Sequence, residues 1–255
     1  MLMFDYGAPQ EFPINKGKPL GVGKHPHRGF ETVTVAFQGE AEHHDSTGGH
    51  GVIREGDVQW MTAGRGIVHE EYHSKEFSAR GGVLEMCQLW VNLPREFKMV
   101  KPRYQAITND TIPVVKLSSQ DGGPTARIVA GSLNGVVGPA KTFSPVNLWD
   151  VTLPSAGSVV VIPYPKDHSC IVFVRRGSVR INDRTLGPQD VALFRNEDND
   201  GDAEALQLVV LEQDSAVLIM GGEPIDEPIA NRGPFVMNSD LEIRQAIMDY
   251  QNGRF

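Results

Sequence analysis

His25-Pro26-His27-Arg28-Gly29-Phe30-Glu31-Thr32-Val33 leads a His-x-His pair into a β-branched run, and Ile67-Val68-His69-Glu70-Glu71 repeats the spacing with an imidazole and a carboxylate. Side chains on a strand alternate with period two, so His25 and His27 share one face, as do His69 and Glu71. Two such strands facing each other across a small barrel bring together three nitrogens and one carboxylate oxygen. That set predicts a mononuclear metal site made of His25, His27, His69 and Glu71, with coordination positions left over.

The surrounding sequence supplies the barrel. Glu31 to Phe37 is β-branched and aromatic and stops at Gly39. Gly56-Asp57 introduces Val58 to Thr62, and Leu84 to Leu93 runs until Pro94. Val159 to Pro163 and Ile171 to Val174 continue the style. Many short strands punctuated by Gly and Pro predict an all-β chain, a sandwich or a barrel. The halves echo each other: Gly39 to Glu42 followed by Gly56-Asp57-Val58 matches Gly177 to Arg180 followed by Gly187 to Val191. This points to duplicated barrels that divide near residues 103–125, where Asn109-Asp110 and Asp121-Gly122-Gly123-Pro124 read as linker. The boundaries taken are 1–112 for a metal-binding N-terminal barrel and 113–255 for a C-terminal barrel without metal. One helix is expected over 239–250, capped by Ser239 with Glu242 completing a capping box. Ile243, Ala246, Ile247 and Tyr250 form its apolar stripe, Gly253 ends it, and its role is docking.

Composition narrows the function. The chain has 255 residues, 40% of them hydrophobic, enough for a sizeable core. Its formal net charge of −8 and the lack of a Lys/Arg cluster argue against direct nucleic-acid binding. Cys87 and Cys170 form no Cys-x-x-Cys and read as small buried hydrophobes in a reducing compartment. No basic segment followed by an apolar one opens the chain, and no apolar run spans a membrane, so the expected address is the cytoplasm.

Seven of the eight histidines precede residue 74. Neutral imidazoles with one carboxylate leave a divalent ion with net charge about +1, able to accept an anionic oxygen ligand and dioxygen. One iron(II) per chain fits best, while manganese, nickel, copper or zinc can occupy such a site. Glu31 and His73 share strand parity with the ligand pairs and are rival ligands, or neighbours of ligands. Each reads more simply as a strand residue with no metal role. His43, His44 and His50, among Glu42, Asp45 and Gly48, read as a solvated hairpin. Gln88, Trp90 and Asn92 share one strand face and are candidates to line a cavity. Asn196 to Gln207 faintly mimics a calcium loop but lacks the terminal acids, so a surface turn is the better account.

His25 to Val33, Gly56 to His69, Gln88-Leu89-Trp90-Val91-Asn92-Leu93-Pro94, Gly233 to Asn238 and Ala246 to Phe255 together resemble the pirin family, over essentially the whole chain. The resemblance implies two stacked cupin (jelly-roll) β-barrels, with iron held in the first by His25, His27, His69 and Glu71. The second half keeps only His168 and lacks a His-x-His pair, so it is expected to hold no metal. The resemblance also implies a segment preceding Met1, so that the chain starts inside a family strand; an absent leading strand would expose a sheet edge. His73 stands where relatives usually carry another residue.

The implied activity is that of a quercetin (flavonol) 2,3-dioxygenase. The substrate's 3-hydroxyl loses its proton to Glu71 as base, and ring cleavage with dioxygen releases carbon monoxide. Its partners would be a flavonol-like substrate and O2. The alternative is a non-enzymatic, iron-dependent regulatory protein that binds a transcriptional or metabolic protein partner. A roomy pocket over the metal favours the first reading. A closed pocket beside an exposed apolar patch favours the second.

Overall fold

In the computed structural model, which describes residues 1–194 and 205–255, the chain forms two compact units. Met1–Asn109 groups with Ile225–Phe255, and Asp110–Pro224 forms the other. Among the described residues the regular structure is almost all strand, with two α-helices. Most of the calcium-loop mimic lies outside the described residues.

The first unit holds β1 (Met3–Phe12), β2 (Gly21–His27), β3 (Phe30–Gln38), β4 (Ala41–Asp45), β5 (His50–Ile53), β6 (Val58–Thr62) and β7 (Ile67–His73). The short helix α1 (Lys75–Arg80) follows, then β8 (Gly82–Asn92) and β9 (Arg103–Ile107). They make two antiparallel sheets, ordered β1-β8-β3-β6-β9 and β2-β7-β4-β5. β1 is an edge strand, paired with β8 from Met3↔Trp90 to Phe12↔Gly82. β3 is buried along nearly its whole length, as its Val-, Thr- and Phe-rich run predicts for a central strand.

The second unit repeats this plan. Its strands are β10 (Val114–Lys116), β11 (Thr125–Ala130), β12 (Ser132–Leu133), β13 (Val136–Val137), β14 (Val146–Leu153) and β15 (Val159–Pro163). They continue as β16 (Ser169–Arg176), β17 (Val179–Ile181), β18 (Arg184–Leu186), β19 (Val191–Phe194), β20 (Ala205–Val210) and β21 (Ser215–Gly222). One sheet runs β10-β11-β14-β21-β16-β19 and the other β15-β20-β17-β18. The order β15-β20-β17-β18 copies β2-β7-β4-β5 strand for strand, so the echo seen in sequence is an echo of topology. Among the described residues, twenty buried hydrophobic side chains fill this barrel, Trp149, Ile128, Val172 and Ile219 among them. At about 25 cal/mol per Å² such burial is the main stabilising term.

The tail departs from the expected division. Residues 113–255 read as one barrel in sequence, yet Ile225–Phe255 packs with the first unit. Three observations explain it. β22 (Ala230–Arg232) pairs with β23 (Phe235–Met237), and Phe235 bridges to Arg28. The Arg28 guanidinium reaches Asp249 at 2.8 Å and lies 4.4 Å from the Phe255 ring. The fully buried Lys98 donates to Gly29 O, Asn92 Oδ1 and Val236 O at 2.8–3.1 Å. Gly29 makes the approach possible: its φ is +87°, and a Cβ there would lie 1.9 Å from the Val236 carbonyl oxygen. The helix α2 (Asp240–Gln251) begins at Ser239, whose hydroxyl bonds Glu242, while Glu242 accepts from the Asn238 amide. Ile243 and Ala246 pack against Phe235 and Met237.

Candidate metal centre

β2 and β7 are paired antiparallel with His25 opposite His69 and a register shift between Val22 and His25. The strand parity expected from sequence therefore places both pairs on one barrel face. Donor atoms of His25, His27 and His69 lie within 4.8 Å of one another. Their ring centroids are 4.2–4.9 Å apart. Glu71 belongs to a second grouping at the same spacing, with His43 and His69. His69 is common to both.

The hydrogen bonds suit a cation between the rings. His69 Nε2 is buried without a partner, and the buried His27 ring makes no hydrogen bond of good geometry, the Pro234 backbone alone lying near enough to favour its charged form. Buried polar atoms left unpaired cost about 1–3 kcal/mol each, and a bound cation is one way to satisfy a cluster of them. His25 Nδ1 lies 2.8 Å from Gly23 O; the carbonyl only accepts, which leaves His25 Nε2 as the lone pair. Burial pushes the His27 imidazole down to about 3, helped by neighbouring His25. Burial likewise lowers His69, with His27, His25 and His43 adding to it. Neutral imidazoles are the ligating form. These residues fit a mononuclear metal.

Glu71 is held by three donors. Gln59 Nε2 donates to Oε1 at 3.0 Å, Gln88 Nε2 to Oε2 at 2.9 Å, and Thr34 Oγ1 to Oε1 at 3.3 Å. The carboxylate borders a cavity of about 470 Å³, shared with His25, His27, Gln88, Trp90 and Met86. That volume lies in the range of small-molecule sites, about 300–1,000 Å³. Gln88 and Trp90 thus line a cavity, whereas Asn92 on the same face holds Lys98 instead.

The rival ligands lie elsewhere. Glu31 is buried on the other sheet, 2.6 Å from Thr62 Oγ1, and burial raises its carboxyl above the ordinary range. His73 stands edge-on to Phe12 and Phe77, at 4.7 and 5.2 Å, outside both groupings.

One reading is corrected. His44 and His50 are exposed, but His43 is fully buried. β4 pairs with β7, placing His43 opposite Glu71 and Asp45 opposite His69. His43 Nε2 lies 3.1 Å from Asp45 Oδ2, and its Nδ1 lies 3.4 Å from His69 Nδ1. The period-two alternation of Glu42-His43-His44-Asp45 carried this signal, with His43 and Asp45 on the inner face; the polarity of the stretch hid it. Burial alone would raise the Asp45 carboxyl. Hydrogen bonds from Thr47, His43 and Gly49 outweigh that and hold it below its ordinary value.

Two cupin barrels, the first carrying a cluster able to hold a metal, define a double-cupin protein with a candidate metal centre. The pirin family model matches residues 1–91, and the pirin C-terminal cupin domain model matches residues 148–255. The chain belongs to the pirin family. A Pseudomonas aeruginosa protein provisionally named a quercetin 2,3-dioxygenase is 50% identical over 254 residues, covering 100% of this chain and 85% of its own. Mouse pirin is 37% identical over 244 residues, 93% of this chain and 79% of its own. The solved quercetin 2,3-dioxygenase from Acinetobacter baumannii superposes with a TM-score of 0.91 at 45% identity, covering 99% and 84% of the two chains. No helix among the described residues is long and apolar enough to cross a membrane.

Proposed function

We propose that this chain is a flavonol 2,3-dioxygenase of the quercetinase type, acting through one iron held by His25, His27, His69 and Glu71. The observation that carries the reading is the cavity of about 470 Å³ that opens onto His25, His27 and Glu71. Leu84, Met86, Trp90 and Val22 give it apolar walls, which suit a flat aromatic substrate. When bound, the metal supplies Lewis acidity and a route for dioxygen to react with a closed-shell substrate.

The chain's own residues do the rest. Apolar walls strip water from the rings and orient the 3-hydroxyl toward the histidines. Glu71 serves as ligand and proton acceptor in turn, taking that proton through a hydrogen bond to its carboxylate, which Gln59 and Gln88 fix in place. Gln59 is fully buried, so it holds one rotamer and keeps Glu71 aimed at the cavity. The partner-binding reading asked for a closed pocket; the cavity's size and its access to the ligands support turnover.

The test is oxygen uptake and loss of quercetin absorbance, with carbon monoxide detection, on protein purified anaerobically and loaded with iron(II). Turnover with carbon monoxide release is the expected result. No turnover with iron, manganese, nickel or copper would move the assignment to the regulatory, partner-binding role.

A further inference from the structure

His69 has one nitrogen without a partner and one that faces another imidazole, and the groups behind that imidazole decide where the hydrogens sit. Asp45 Oδ1 accepts from Thr47 N, Thr47 Oγ1 and Gly49 N at 2.7–3.0 Å. All three are donors, so that oxygen carries no hydrogen of its own. Asp45 Oδ2 faces His43 Nε2 at 3.1 Å, and both side chains are fully buried. A carboxylate oxygen can only accept there, so in the neutral imidazole His43 Nε2 carries the hydrogen and His43 Nδ1 is left as an acceptor. His43 Nδ1 is 3.4 Å from His69 Nδ1, which must then be the donor. The hydrogen of His69 is placed on Nδ1, and Nε2 keeps a bare lone pair. Nε2 is the very atom that is buried without a partner.

We infer that Asp45 and His43 form a buried hydrogen-bond chain that fixes His69 as the Nδ1–H tautomer and so presets Nε2 for the metal. His43 is a positioning residue in this scheme. With Nε2 given to Asp45 and Nδ1 turned to His69, it has no lone pair free to ligate. Its ring stacks on Tyr104, centroids 5.0 Å apart and planes 27° apart, which fixes the direction of both bonds. Burial, with Glu71, Asp45 and Asp57 adding to it, pushes the Tyr104 phenol up to about 12, so that ring stays neutral. The geometry resembles the general arrangement in which a ligating imidazole gives its second N–H to an oriented acceptor. Here the acceptor is another imidazole, and the carboxylate stands one residue further out.

The inference rests on His69 being a ligand, but its first test does not require the metal or the reaction. In metal-free protein, two-bond nitrogen–proton spectra of the imidazoles report each tautomer directly. His69 is expected as Nδ1–H and His43 as Nε2–H. His69 found as Nε2–H would overturn the chain whatever the activity proves to be. The second test separates hydrogen bonding from packing. His43→Phe keeps a ring against Tyr104 but removes the acceptor, while His43→Gln retains a carbonyl that can accept from His69. Nickel(II) affinity, measured by chelator competition, should fall on the order of 10- to 100-fold in His43→Phe. It should recover in part in His43→Gln. Equal nickel affinity in wild type and both variants would overturn the positioning role. If His43→Phe does not fold, the tautomers decide: His69 as Nδ1–H in both the wild type and His43→Gln supports the chain, and His69 as Nε2–H in the wild type overturns it.

Discussion

The two barrels of this chain have the same strand order and opposite interiors. In the first, β2 and β7 turn His25, His27, His69 and Glu71 toward the lumen, and a cavity of about 470 Å³ remains. In the second, the corresponding strands β15 and β20 pair Val160 with Leu208 and Ile162 with Leu206, and all four are buried in an apolar core. β4 brings His43 inward, while its counterpart β17 brings Val179 and Ile181. A metal site on this scaffold is thus a change at a few inward positions, with strand order and register kept. The first barrel gives up apolar burial for it, and it alone takes on the tail, Ile225–Phe255, as added packing.

The strongest way to break this comparison is to ask where the metal goes. His27→Ala or His69→Ala should abolish stoichiometric metal, measured by mass spectrometry of the purified protein. His168→Ala, in the second barrel, should leave metal content unchanged, since His168 Nδ1 is already engaged by Asn147 at 2.9 Å. Full metal in the first two variants would discard the ligand set.

A second test concerns Glu71, for which the second barrel offers only Val or Leu. Glu71→Gln keeps shape and an oxygen donor but removes the charge and the base. Quercetin turnover should fall on the order of 100-fold or more, as for other general bases. A variant with the wild-type rate would keep the enzyme and remove Glu71 as proton acceptor.

The tail gives a third, smaller effect, with a pH signature. Burial pushes the Lys98 ammonium down to about 8, against the pull of Glu227 and Glu242. Its ordinary value is 10.5, so between pH 8 and 10.5 the unfolded chain binds more protons at this group than the folded one. Stability from Lys98 therefore rises with pH across that window and is flat below it. Two and a half pH units at about 1.4 kcal/mol each set the ceiling on that gain. Denaturation midpoints of wild type and Lys98→Met, compared from pH 7.5 to 10, should diverge in favour of wild type. Parallel curves would show that Lys98 does not titrate there.

Much of this was legible in sequence because it depends on period two. The His-x-His and His-x-Glu pairs, the capping box of α2 and the duplicated strand pattern are local, and the register preserved them. What escaped was non-local. The return of the tail to the first barrel depends on Arg28 meeting Asp249 and on Lys98 meeting Val236, pairs far apart in the chain. The burial of His43 depends on β4 lying beside β7, which no window around Glu42 to Gly48 reveals. Polar composition argues for solvent unless the partner strand is known. Gln59 escaped for the same reason, being a polar residue in an apolar strand whose partner, Glu71, lies on the facing sheet.

The smallest expected effect sharpens the comparison most, because it makes one barrel imitate the other. His27 is 3% exposed, its ring nitrogens make no hydrogen bond of good geometry, and it packs against Phe30 and Trp90 at 5.0 and 5.4 Å. The corresponding region of the second barrel carries Val and Ile. Without metal, a buried imidazole with no partner costs stability, and an apolar side chain of similar size recovers it. His27→Leu should therefore stabilise the metal-free protein by about 1 kcal/mol, read as a higher denaturation midpoint. With metal present the order should reverse, since only the wild type gains the binding energy, about 2.7 kcal/mol at a metal concentration 100 times Kd. A His27→Leu protein less stable than wild type without metal would mean that the imidazole is satisfied by packing or water. The two interiors would then differ in function without the first sacrificing stability for it.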